Sequence, residues 1–113
     1  MLIRSQNKEV LTNLNALAGI EIAEGPAKTV ITSYITGCSY LLGEYSNKQK
    51  AVKVLDMLQK AQAEYEMLRG MSTGMGGIMV TYNTKMIVNE LEKEIQEKTI
   101  FQMPEDSEVE IND

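Results

Sequence analysis

Along the first 46 residues, short runs of β-branched and aromatic residues sit between clusters of turn formers, the pattern of half-buried strands. Residues 2–4, 10–14 and 19–23 read as short strands, the last ("GIEIA") with Ile20 and Ile22 on one face. The stretch "EGPAK" at 24–28 is a turn, because Gly25 frees the backbone and Pro26 fixes φ. In "TVITSYITGCSYLLGEYS", Val30, Thr32 and Tyr34 face opposite to Ile31, Ser33 and Ile35, and Gly37-Cys38 marks a hairpin reversal into a strand at 40–45. The expected product is one antiparallel sheet of four or five strands, covered on one face.

The period then changes from two to about 3.6. Ala51, Val54, Leu58, Ala61, Tyr65 and Leu68 recur at steps of three and four, with Val52 and Leu55 widening the stripe. Ser46 and Gln49 form a capping-box signature at its start. A helix over about 47–69 follows, about 34 Å long and longer than strands of about 17–20 Å can cover. Gly70 is expected to end it in a left-handed cap and to open a glycine-rich loop, "GMSTGMGGIMV". A second helix at about 84–98 carries a narrow seam of Ile87 or Val88, Leu91 and Ile95, a width suited to helix pairing within or between chains. The fold class expected is α+β: a single domain over 1–103, then an acidic, mobile tail over 104–113.

Composition narrows the chemistry. The 113 residues are 43% hydrophobic and 24% charged, which suits one globular core. The net charge of −5 is carried by Glu105, Asp106, Glu108, Glu110 and Asp113, leaving residues 1–103 neutral. With only two arginines, Arg4 and Arg69, there is no basic stripe for nucleic acid. No apolar run reaches the length of a membrane helix, and the start lacks the layout of a signal peptide, so a cytoplasmic setting is expected. The lone Cys38 offers neither a disulfide nor a metal-site spacing.

The absence of histidine removes the commonest general base and zinc ligand. In the glycine-rich loop, glycines at 70, 74, 76 and 77 with no lysine before Lys85 do not fit a phosphate loop, which in addition follows a strand. Glu64 with Glu66, and Glu90 with Glu92, point in different directions on a helix, whereas Glu90 and Glu94 share a face with lysines among them. No catalytic, cofactor or metal site is therefore expected. The residues singled out for ligand or partner contact are Glu44 and Tyr45, where strand meets helix, with Tyr65, Arg69, Met71, Met75, Met79 and Tyr82 along the helix and the adaptable methionine-lined loop.

Three stretches carry a resemblance: "MLIRSQNKEVL" with "TNLN", "LLGEYSNKQKAVKVLDML" and "FQMPEDSEV". Together, over roughly 1–15, 41–59 and 100–109, they resemble an uncharacterised family of small proteins in Firmicutes genomes, their phages and mobile elements. The family has no established activity, so no residue role carries over, and residues 70–83 do not match it. The resemblance implies a bacterial cytoplasmic setting and a small accessory protein of phage or mobile-element type. Joined to the absence of catalytic constellations, it gives the expectation of a non-enzymatic binding or inhibitory protein acting in anti-defence by blocking a host protein or sequestering a small signalling ligand. The narrow seam of the second helix adds the expectation of a homo-oligomer. The alternative is a small assembly protein working through helix-mediated self-association.

Overall fold

The computed structural model describes residues 1–75 (backbone alone for 71–75), 90, 93, 94 and 96–111. The chain order is β1 (Leu2–Arg4), β2 (Leu11–Asn13), a 3-10 turn (Leu14–Ala16), β3 (Gly19–Glu24), β4 (Thr29–Ile35), β5 (Cys38–Tyr45), α1 (Lys48–Met75), β6 (Ile100–Gln102) and a second 3-10 turn (Asp106–Glu108). The class is α+β, as expected, but the single sheet of four or five strands is replaced by two sheets of three.

Sheet A has the order β2-β1-β6, and sheet B the order β3-β4-β5. The hairpins form where local chemistry calls for them. Gly25 N–H donates to Lys28 O at 2.9 Å to close the β3–β4 turn. Ile35 pairs with Cys38 across a two-residue turn, where Gly37 has φ +82°, a value that glycine adopts without a Cβ clash. The division into two sheets arises from β6, which pairs in parallel with β1, Leu2 beside Ile100 and Arg4 beside Gln102. Parallel pairing requires a long crossover, and here nearly the whole chain intervenes.

Helix α1 packs on one face of sheet B. Its stripe lands as the periodicity requires: Ala51, Val54, Leu58 and Leu68 are buried, and Leu55, Ala61 and Tyr65 are partly so. Val52 is exposed. The core joins this stripe to Met1 and Ile3 of the N-terminus, Ile31 and Leu42 of sheet B, Tyr45, and Met103 and Val109 beyond β6.

Three expected boundaries move. The helix cap is Asn47, one residue after Ser46: its Oδ1 accepts from Lys50 N–H at 2.9 Å, while Ser46 N–H is taken by Asp106 Oδ1 at 2.8 Å. Gly70 does not stop the helix, which runs to Met75, about 42 Å at 1.5 Å per residue. One interior glycine costs only about 1 kcal/mol, too little to end a helix already propagating. The glycine-rich loop beyond Met75 lies outside the described residues, as does most of the second helix expected at about 84–98. The expected tail is, through Ile111, a segment seated on the body, with Met103, Pro104 and Val109 buried. Its Asp106 carboxylate pairs with Lys50 of α1, which composition alone does not reveal.

Candidate functional site

The two sheets meet at Gln6. Just after β1 the chain turns tightly, with Ser5 Oγ donating to Asn7 Oδ1 at 2.6 Å, and Glu9 N–H and Val10 N–H bound at 3.0 Å each to Asn7 Oδ1 and Ser5 Oγ. Lys8 takes a left-handed backbone, φ 67°, to complete the reversal. The braced loop holds Gln6 against the outer edge of β5. Gln6 N–H donates to Leu42 O at 2.7 Å, and its side-chain amide imitates a strand: Oε1 accepts from Glu44 N–H at 2.9 Å and Nε2 donates to Glu44 O at 3.1 Å. The same Nε2 donates to Pro104 O at 3.1 Å. One side chain thus satisfies an otherwise open sheet edge and ties in the C-terminal segment.

Pro104 O also accepts from the Tyr45 hydroxyl at 2.8 Å. The Tyr45 ring lies over Gly43, where an added Cβ would approach it to 3.0 Å, so any larger residue in "LGEYS" would have to push the ring aside by a few tenths of an ångström. Burial, reinforced by the carboxylates of Glu105, Asp106 and Glu108, pushes the Tyr45 phenol well above its ordinary value. At neutral pH it is a fixed hydrogen-bond donor inside the core, 1% exposed, rather than a group facing a ligand.

The neighbouring charges form a second joint. Lys48, Lys50 and Lys53 stand in the first two turns of α1, with no acidic residue in the first turn, an arrangement that the helix dipole disfavours. Acidic residues from elsewhere compensate. Asp106 Oδ2 is 3.4 Å from Lys50 Nζ, Lys48 Nζ is 3.4 Å from Glu24 Oε1, and Lys50 Nζ donates to Asp106 O at 2.9 Å. Lys53 Nζ donates to Glu110 O. The Ser46 backbone N–H, aided by Lys50, holds the Asp106 carboxyl below its ordinary value. Glu105 and Glu108 cap their own 3-10 turn.

The residues singled out from sequence are dispersed. Glu44 borders a cavity of about 160 Å³ lined by Gln6, Asn7 and Leu41–Glu44, and its carboxylate pairs with Lys28 at 2.8 Å. Tyr45 does not line that cavity. Tyr65 is half-buried against the core, and Arg69 is exposed on α1. Met71 and Met75 belong to the last turns of α1, while Met79 and Tyr82 lie outside the described residues. The structure does not gather these eight residues into one site. Sequence reasoning missed Gln6, Pro104, Asp106 and Lys50, whose partners are 38 to 98 residues away, or 56 for the Lys50–Asp106 pair.

Among the described residues, three further concavities are open to solvent. One of about 320 Å³ follows the β3–β4 turn, lined by Ala23–Lys28 and Val30. One of about 370 Å³ lies between β2 and the β4–β5 hairpin tip, lined by Glu9–Thr12, Ile35 and Tyr40. The third, about 180 Å³, lies beside the Glu64–Lys98 ion pair and Phe101. Among the described residues, no group of three or more His, Cys, Asp or Glu is placed to hold a metal ion, and no helix is long and apolar enough to cross a membrane.

Fold and site together define a small α+β protein with a helix-backed three-stranded sheet and a second sheet closed by its own C-terminal strand. No family model, curated protein or solved structure matches the chain.

Proposed function

We propose that the protein is a non-enzymatic binding module that docks a partner protein on the face of sheet B opposite α1. The observation that carries this reading is the composition of that face. Val30, Thr32 and Tyr34 of β4 alternate with the buried Thr29, Ile31 and Ser33, and the register places Ala23 beside Val30 and Leu41 beside Thr32. Tyr34 is 37% and Leu41 43% exposed, and the apolar strip continues into the concavity at Pro26 and Ala27. Glu21, beside Thr32, sets a negative charge within it, and Glu44, beside Val30, sets a second that Lys28 pairs at 2.8 Å. Such a face suits an apolar partner surface that brings a basic residue to Glu21.

The concavities, at 160 to 370 Å³, sit at or below the low end of the roughly 300–1,000 Å³ of small-molecule sites, which supports a protein partner over a sequestered ligand. In the phage or mobile-element setting that the motifs suggest, the partner is a host protein and the role anti-defence. The test is capture of host proteins on the immobilised chain, repeated with Leu41→Lys and Tyr34→Lys. Loss of one specific partner with both variants, their melting curves unchanged, is expected. A partner retained by both variants, or substrate turnover by the purified protein, refutes the reading.

A further inference from the structure

The geometry points to a second interaction surface, the free edge of β2, and to a second copy of this chain as its occupant. The backbone pattern of β1–β2 identifies which groups are free. Ser5 N–H donates to Val10 O at 2.8 Å and Leu14 N–H to Met1 O at 3.0 Å. Antiparallel pairing alternates hydrogen-bonded with non-hydrogen-bonded pairs, so Ile3 and Thr12 form the hydrogen-bonded pair between them. Leu11 and Asn13, opposite Arg4 and Leu2, are at the non-hydrogen-bonded positions. Their N–H and C=O groups therefore point away from β1, and β2 ends the sheet on that side.

Proteins usually protect such an edge with charge, proline or a covering segment. The outer strand β3 of sheet B carries Glu21 and Glu24, and the far edge of β5 is closed by Gln6. In contrast, β2 is Leu-Thr-Asn, without a charge, and its Leu11 side chain is 56% exposed. Exposed Ile35 and Tyr40 flank the same edge across the groove of about 370 Å³. Apolar side chains and unpaired backbone groups thus coincide on one edge.

The edge is complementary to itself. A two-fold axis at Thr12 places Leu11 opposite the partner's Asn13 as a hydrogen-bonded pair, and Asn13 opposite the partner's Leu11. In this register the outward backbone groups of both residues are matched, and sheet A becomes the continuous order β6-β1-β2-β2-β1-β6. Beyond these three residues the chain leaves the strand, into the left-handed Lys8 reversal before it and the 3-10 turn Leu14–Ala16 after it, so the pairing rests on Leu11, Thr12 and Asn13, none of them charged. The contact uses neither the helices nor the open face of sheet B, and it leaves that face available to another protein.

Sedimentation equilibrium of the full chain tests the inference at register level. The wild type is expected to move with concentration from the 12.6 kDa of one chain towards twice that mass. Leu11→Lys with Asn13→Lys sets like charges opposite each other in both pairs, and is expected to weaken the dimer about tenfold. Leu11→Lys with Asn13→Glu sets opposite charges there and is expected to restore it. Both side chains are exposed, and far-UV circular dichroism confirms folding of each variant. A monomeric wild type, a dimer indifferent to the double-lysine change, or equal weakening by both pairs overturns the inference.

Discussion

Replacing Gln6 tests whether one side chain couples the two sheets and the C-terminal segment. The Gln6 amide makes three hydrogen bonds, with Glu44 N–H at 2.9 Å and with Glu44 O and Pro104 O at 3.1 Å each. A net value of about 0.5–1.5 kcal/mol per bond, with water reaching part of this half-buried site, puts Gln6→Ala at about 2–3 kcal/mol. For a chain of this size that is a fall in Tm of about 8–12 °C. Gln6→Glu is the sharper variant. It keeps an acceptor for Glu44 N–H but removes the donor, so a carboxylate oxygen faces two carbonyl oxygens.

Gln6→Glu is therefore expected to be less stable than Gln6→Ala at pH 7. The opposing carbonyls favour the neutral acid, so the introduced carboxyl has its pKa raised in the folded state. Stability is then fully present below the ordinary carboxylate value of about 4.3 and lost as pH rises through the higher folded value. The gap between the two variants should close on acidification. Urea unfolding followed by far-UV circular dichroism reads this directly, in a chain without tryptophan. A cost below about 0.5 kcal/mol for Gln6→Ala, or a pH-independent gap between the variants, refutes the coupling role.

Two other substitutions probe the revised boundaries. Asp106→Asn keeps an oxygen for Ser46 N–H but removes the charge facing Lys50. Because the carboxylate is more than a third exposed, the neutral-pH cost should be small, about 0.5 kcal/mol. Its folded pKa is depressed, so this contribution is present above the ordinary carboxylate value and lost as pH falls through the folded one. Tm curves of variant and wild type should converge in acid, and parallel curves would contradict the assignment. Gly70→Ala should raise stability by about 0.5–1 kcal/mol, since the site is inside α1 and an added Cβ meets nothing within 4 Å. A lower Tm would show that the glycine is required.

The parts of the fold legible in the sequence are those whose partners are close in the chain. Alternation and turn chemistry marked β3, β4 and β5 because each pairs with its neighbour, and the steps of three and four from Ala51 to Leu68 marked the buried stripe of α1. The division into two sheets was not legible, because the β1–β6 pair joins residues at opposite ends of the chain and "TIFQM" alternates too briefly to name a partner. Of the candidate contacts, Glu44 and Tyr45 stand at the strand–helix junction, Glu44 bordering a cavity and Tyr45 buried in the core. What occupies that junction with them, Gln6 and Pro104, could not be found from local pattern.

The acidic C-terminal segment shows why composition alone misled. Five carboxylates without a basic residue read as a solvated tail, and nothing local to Lys48, Lys50 and Lys53 names them as its counterpart. That reading considers one charge cluster in isolation. Lysines in the opening turns of a helix are opposed by its dipole, whereas carboxylates near that end are favoured by it. The two clusters are therefore each unfavourable or unremarkable alone and favourable together, with Asp106 serving Ser46 N–H and Lys50 at once. The same segment places Met103 and Val109 in the core and Pro104 O against Gln6 and Tyr45, so it is held by apolar burial and backbone bonds as well as by the Asp106 carboxylate that pairs with α1.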